Sequence, residues 1–220
     1  MIRRVVGIYF SPVGGTANMT HRMVETIAAG ISECSSEKVD IKYCDICRAG
    51  SDDTAIELDD ETIAVVGMPA YVGKLPLPGV RIINNIAGSG AMTIAAVSYG
   101  GRSYGNSLYE LQHVLEECDF KVIGAGAFMI SYMASRGSSR SAGPTMDVTS
   151  LSEFSKAATA KIARLAGCEI EGLKIKPAPI EVKGRMPVHM ISKFSPKAAA
   201  IAQEMLEKMS FTRNSSEWFL

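Results

Sequence analysis

At 220 residues, with 47% apolar and 21% charged side chains, the chain has material for one good-sized domain, or one of about 150–170 residues with an appendage. Its 23 cationic and 23 anionic residues cancel, so no global basic field draws nucleic acid or an anionic membrane. No apolar run reaches the length of a membrane span, and Met1-Ile2-Arg3-Arg4 leads only into a strand-length run, so neither a transmembrane helix nor a secretory signal is expected.

The first predicted strand, 3–10 (RRVVGIYF), stops at Ser11-Pro12-Val13-Gly14-Gly15-Thr16-Ala17-Asn18. A helix is predicted over 15–33, because Met19, Met23, Ile27 and Ile31 recur every four residues with Val24 and Ala28 beside them. The stretch between is a strand end built from hydroxyls and glycines, with no Lys or Arg; the nearest cation is Arg22, two turns into the helix. Two readings stand side by side. One is a capped helix after a glycine turn. The other is an anion cradle made of hydroxyls, converging N–H groups and the positive end of the helix dipole.

The next strands are 38–43 (KVDIKY), whose alternation suits a sheet edge, then 62–68 (TIAVVGM), 92–98 (MTIAAVS) and 120–129 (FKVIGAGAFM). The apolar continuity of most of them fits a sheet covered on both faces. Between the second and third strands, 44–60 reads as a loop or degenerate helix. Helices are predicted over 76–87, 103–117 and 148–166, the third of the four presenting Leu108, Leu111, Val114 and Leu115 and the last presenting Leu151, Phe154, Ala158, Ile162 and Leu165. Alternation of this kind specifies a parallel sheet with right-handed crossovers, an α/β doubly wound domain over 1–167. Residues 168–220 form an extension packing on the same domain: two short extended pieces broken by prolines, then a short helix over 196–210 with Ser195 as cap and Pro196 in its first turn.

Ligands of open α/β sheets bind at the carboxyl ends of the strands, near the switch in strand order. After the third strand comes Met68-Pro69-Ala70-Tyr71-Val72-Gly73-Lys74-Leu75-Pro76, a rigid turn around an aromatic that either packs on its own loop or stacks on a planar ligand. After the fourth comes Ser98-Tyr99-Gly100-Gly101-Arg102-Ser103-Tyr104-Gly105-Asn106, where glycines admit a ligand edge to the backbone. Neither a nucleotide-triphosphate loop nor a three-glycine dinucleotide fingerprint is present. An acidic cluster of the phospho-receiver kind is missing too. Phosphate donors, ring platforms and backbone hydrogen bonds on one sheet edge together describe a flavin mononucleotide site.

These segments resemble flavodoxins. "YFSPVGGTANM" is similar to their phosphate loop, and more closely to the Ser-Pro-Thr-Gly-Asn/Thr-Thr variant in the flavodoxin half of flavodoxin–ferredoxin fusion proteins of anaerobes. "GMPAYVGKLP" and "YGGRSYGNSLYELQHVLEECDFKVIGAGAF" resemble two further segments of that group, in the same order, within a likeness covering roughly residues 3–166. The resemblance implies a five-stranded parallel sheet of order 2-1-3-4-5 that binds FMN non-covalently and passes electrons. It implies that Ser11, Val13, Gly14, Gly15, Thr16 and Ala17 hold the phosphate. Ala70, Tyr71, Val72 and Gly73 would then line one side of the ring, and Ser98, Tyr99, Gly100, Gly101 and Arg102 the other. Two departures matter. Val13 stands where the group has a threonine, removing a hydroxyl. Only Cys168 follows residue 167, so the fusion proteins' iron–sulfur clusters, with four cysteines each, cannot form there.

The expected function is therefore an FMN-dependent electron carrier of the cytoplasm, monomeric or homodimeric, working with a redox partner such as a ferredoxin or another iron–sulfur protein. The alternatives are a flavin-dependent NAD(P)H or quinone oxidoreductase on the same fold, and a binding module that has lost the flavin. Five cysteines at irregular spacing fit free thiols in a reducing compartment, and Cys44-Asp45-Ile46-Cys47 reads as chance spacing rather than a redox pair or metal site. His21 and His113 read as helix-surface residues, and His21, His113 and His189 lie in separate elements, so no general acid–base catalyst is expected. Residues 131–144, long and polar, read as a flavin cover or partner-docking loop with Arg136 and Arg140 as contacts, or as a plain surface loop.

Overall fold

Strand alternation decides which helix covers which face of this protein. The structure, a computed structural model, describes residues 2–47, 56, 58–100, 103–131, 145–167, 180, 182, 184 and 217–220. Among them the order is β1 (Arg4–Tyr9), α1 (Gly15–Ser35), β2 (Asp40–Asp45), β3 (Thr62–Ala70), α2 (Leu77–Ile83), β4 (Met92–Tyr99), α3 (Ser107–Glu117), β5 (Lys121–Ser131), β6 (Thr145–Met146), α4 (Val148–Leu165) and β7 (Glu217–Phe219).

The sheet runs β2-β1-β3-β4-β5-β6, and β2, β1, β3, β4 and β5 pair in parallel in the expected 2-1-3-4-5 order. It is wider than five strands. At the outer edge of β5, β6 pairs antiparallel with Ile130 and Ser131, and β7 with Ala125, Gly126 and Ala127. An unpaired edge beside a hydrophobic strand is a template for aggregation, and these two short strands cover it. Both lie where the sequence shows no strand-length apolar run, which is why periodicity misses them.

Val6, Ile8, Ala64, Val66, Met68, Ala95 and Val97 face α2 and α3, where Leu108, Leu111 and Leu115 meet them. Val5, Ile63, Val65, Ile94, Ala96 and Phe128 face α1 and α4, against Met19, Met23, Ile27, Leu151 and Phe154. Apolar residues on successive positions, pointing to opposite faces, thus bury both faces of the central strands. Ile180 and Val182 are buried in the α2/α3-side core, and Gln112 on α3 donates to the Ile180 carbonyl at 3.3 Å. Trp218 on β7 lies 6.0 Å from the Phe154 ring, which in turn lies 5.3 Å from Phe128.

Two helices are shorter than their apolar pattern suggests. α3 starts at Ser107, not 103, because Gly105 takes a left-handed turn (φ 56°) with its N–H on the Ser103 hydroxyl. α2 ends at Ile83, and the Asn85 and Ile86 N–H groups reach back only three residues, to Ile82 and Ile83. The expected helix over 196–210 and the loop beyond Ser131 to 144 lie outside the described residues, as does His189.

Lys161 on α4 is 4% exposed, and burial pushes its ammonium below the ordinary lysine range. In the unfolded chain that group keeps its usual affinity for the proton, so its charged form opposes folding at neutral pH. The opposition fades as pH rises through the lowered folded pKa towards the unfolded one. Lys161→Met keeps the apolar stem and removes the charge. Thermal melts at several pH values are expected to show the variant more stable at pH 7, with the gap closing towards alkaline pH; a gap independent of pH would show that the ammonium reaches water.

Candidate functional site

α1 begins without a side chain from its own N-cap. That residue is Gly14, in a left-handed conformation (φ 85°) that only glycine adopts readily. Ser11 serves instead: its Oγ accepts the Ala17 N–H at 2.9 Å, and the first intrahelical bond is Asn18 N–H to the Gly14 carbonyl at 3.0 Å. The Gly15 and Thr16 N–H groups precede that bond, so they are the helix-end donors left for an anion. The Ala17 N–H is occupied by Ser11.

Beside this helix start a cleft of about 310 Å³ opens at the carboxyl ends of β1, β3, β4 and β5. That volume sits at the low end of the ~300–1,000 Å³ typical of small-molecule sites. Of the residues singled out from the sequence, Val13, Thr16, Ala70, Tyr71, Val72, Ser98, Tyr99 and Gly100 line it. Ser11, Gly14, Gly15 and Ala17 stand in the loop and helical turn behind Val13 and Thr16, while Gly101 and Arg102 lie outside the described residues. Pro12, Pro69 and Ile130 also line the cleft. Ile130 escapes sequence reasoning because β5 runs two residues beyond the predicted strand, and only the loops after the first, third and fourth strands carried motifs.

Two ends of the cleft differ in chemistry. At one, Thr16 Oγ1 and Ser98 Oγ lie 2.7 Å apart, both buried. At the other, Tyr71 is half exposed and Val72 93% exposed, at the tip of a hairpin closed by reciprocal Tyr71–Lys74 backbone bonds of 2.9 and 3.2 Å. Tyr99 is only 2% exposed and packs against Tyr104, ring centroids 5.6 Å apart, so Tyr71 is the more exposed aromatic of the lining.

The hairpin is held by α3. The Leu75 N–H donates to the buried Glu110 carboxylate (Oε2) at 3.1 Å, and the Asn106 N–H donates to the Gly73 carbonyl at 3.1 Å. Gly73 (φ 76°) and Gly105 meet backbone to backbone; a Cβ on Gly105 would come within 2.7 Å of the Gly73 Cα. Gly73 therefore sits under the cleft wall, not in its lining.

Two residues read from the sequence as peripheral are closer in. His21 is not a surface histidine: its ring lies 5.1 Å from Tyr9 and 4.1 Å from Tyr43, half buried between β1 and β2. Burial, with Glu25 and Tyr9 adding to it, pushes the Tyr43 phenol above its ordinary range. His113 likewise packs on Tyr109, with its Nδ1 buried. Cys47 accepts the Ser11 N–H on its Sγ at 2.9 Å, so the thiol touches the loop that starts α1.

A doubly wound sheet of order 2-1-3-4-5 with a cleft at its carboxyl edge is the flavodoxin-like arrangement. Solved structures similar to this chain include a flavodoxin from the domain Archaea (17% identity, TM-score 0.46, 72% of this chain and 98% of that one). Others are the two-electron reduced flavodoxin of Megasphaera elsdenii (18%, 0.42, 70% and 98%) and a flavodoxin, WrbA-like protein of Agrobacterium tumefaciens (17%, 0.44, 75% and 98%). These likenesses concern the fold alone. No protein-family model matches the sequence, and no curated protein does.

What places the helix start at the cleft is contact with bare strand. A Cβ on Gly67 of β3 would overlap Thr20 Oγ1 and come within 3.2 Å of Thr16 Cγ2. Gly67→Ala is expected to cost about 1–3 kcal/mol through overpacking, measured by urea unfolding. Thr20→Ala in the same chain removes the opposing atoms and is expected to recover part of the loss. A Gly67→Ala chain as stable as its parent would mean that α1 lifts from β3 freely.

Proposed function

We propose that the chain binds FMN non-covalently in this cleft and serves as an electron-transfer flavoprotein. The observation that carries the reading is the pairing of two chemistries in one cleft: hydroxyls and a helix start at one end, a half-exposed aromatic and glycine backbone at the other. The donor set fits the group. A phosphate dianion only accepts hydrogen bonds, and the Gly15 and Thr16 N–H groups with the Thr16 hydroxyl are donors that need no cation. Tyr71 would stack on the ring, and the β4 end at Tyr99 and Gly100 would bring backbone to its edge. When bound, the isoalloxazine supplies the redox chemistry; the protein orients it and sets its surroundings.

The outer rim is apolar and open, with Val13 66% exposed besides Val72. This favours an encounter with another redox protein, a ferredoxin or another iron–sulfur protein, whose cofactor would approach over that rim. In this reading the chain works as the flavodoxin half of the fusion proteins does, in the cytoplasm, as a monomer or homodimer.

The purified protein, as isolated or after adding FMN, is expected to show the absorbance of oxidised flavin at one FMN per chain. Thr16→Val keeps the shape and is expected to weaken FMN binding by about 1.5–3 kcal/mol, the range for a hydrogen bond to a charged group. A protein that stays colourless with excess FMN overturns the reading. Rapid oxidation of NAD(P)H by the flavin-loaded protein alone would move it to the oxidoreductase class.

A further inference from the structure

We propose that Ser98 is a positioning residue for the phosphate end of the ligand, acting through the Thr16 hydroxyl and not on the ring. This rests on the FMN reading above. Along β4, Val97 and Tyr99 turn into the core shared with α2 and α3, while Ile94 and Ala96 turn towards α1 and α4. Ser98 follows that second register and is 5% exposed, with its Oγ 2.7 Å from Thr16 Oγ1 in the first turn of α1. The contact spans β3, whose residue opposite Ser98 is Pro69. Pro69 lines the cleft but has no N–H, so at that position β3 offers no backbone donor where β4 offers a hydroxyl.

Proton counting fixes the direction of the pair. Each hydroxyl has one proton and two lone pairs. Facing an acceptor-only phosphate, Thr16 must spend its proton on the ligand, which leaves Oγ1 to accept. Ser98 is then the donor, and the bonds run in series from Ser98 to Thr16 to phosphate, each polarising the next. Thr20 and Thr26 on the same helix donate to carbonyls four residues back, Thr16 and Arg22. The residue four before Thr16 is Pro12, outside the helix, so Thr16 has no such internal acceptor to fix its rotor. Ser98 fixes it instead.

The test compares FMN with riboflavin, which has the same ring and no phosphate, on the full chain and on Ser98→Ala, Thr16→Val and the double variant, by fluorescence titration. Ser98→Ala is expected to weaken FMN binding about tenfold, the effect of losing roughly one neutral hydrogen bond, and to leave riboflavin binding unchanged. In the Thr16→Val chain the same substitution is expected to change FMN affinity less than twofold, because the relay is already cut. Equal losses for FMN and riboflavin, or an undiminished loss in the Thr16→Val chain, would overturn the proposal and place Ser98 at the ring or in the fold. An unchanged FMN affinity in Ser98→Ala overturns it as well. If the parent chain binds neither flavin, the functional reading falls and takes this proposal with it. Melting temperatures of the flavin-free chains separate a general loss of folding from a local effect.

Discussion

The close approach of α1 to bare backbone on β1 and β3 is the constraint on which the rest of this structure depends. A Cβ on Gly7 would come within 3.0 Å of Val24 and 3.3 Å of Thr20, and one on Gly67 would overlap Thr20. Glycine inside a strand costs about 0.5–1 kcal/mol in chain entropy relative to alanine, so two such positions oppose folding. In exchange the helix lies flat on the sheet. Met19, Met23 and Ile27 are then fully buried against β3 and β4, and the first turn is brought level with the end of β4. A helix resting further out would still bury an apolar stripe, but Thr16 would no longer reach Ser98. Packing of the whole α1 face and the geometry of one hydroxyl pair are set by the same two missing side chains.

The opposite wall is made differently. The Tyr71–Lys74 hairpin carries little core of its own, so bonds from α3 and the turn before it hold it: Glu110 to the Leu75 N–H and Gly73 to the Asn106 N–H. Its tip includes Val72 at φ 53°, an unfavourable conformation for a β-branched residue, 93% exposed and so not held there by packing. Strain of this kind persists where the surroundings over-determine the backbone. Here Gly73, locked against Gly105 on one side, and the Tyr71–Lys74 bonds on the other leave Val72 the first of the two left-handed positions of a two-residue turn. The cleft therefore has one wall fixed by helix-on-sheet packing and another fixed by polar contacts to a neighbouring element.

The sequence shows the central sheet because its strands are buried on both faces and stand out as apolar runs between helical periods. It also shows the loop at Ser11–Asn18, since a strand that ends in glycines and hydroxyls before a periodic helix has few structural meanings. It does not show β6 and β7, which are two and three residues long and exist through pairing with β5 rather than through their own pattern. Nor does it show which residues of a motif do different jobs. Tyr71 and Tyr99 look alike as loop aromatics, yet one is half exposed and the other buried, because Tyr99 is the last β4 residue on the core-facing register. His21 reads as surface because its period places it off the main stripe, and Tyr9 and Tyr43 come to it only once β2 lies beside β1.

The absence of Lys and Arg from the loop is consistent with the geometry around it. A cationic side chain gains from a phosphate at long range but is flexible, and it loses entropy when held in one place. Backbone N–H groups at a helix start are already fixed by the fold, and their direction is set by how α1 meets the sheet. A site of this kind depends on where the helix sits more than on which side chains line it. Val13 illustrates the point. It lacks the hydroxyl that the resemblance leads one to expect, and its side chain is 66% exposed at the mouth of the cleft. The hydroxyls that do converge, Thr16 and Ser98, lie on the inner side, where neighbouring atoms limit their movement. A donor at the mouth would have to be held against water, whereas one on the inner wall is held by the same packing that makes the sheet.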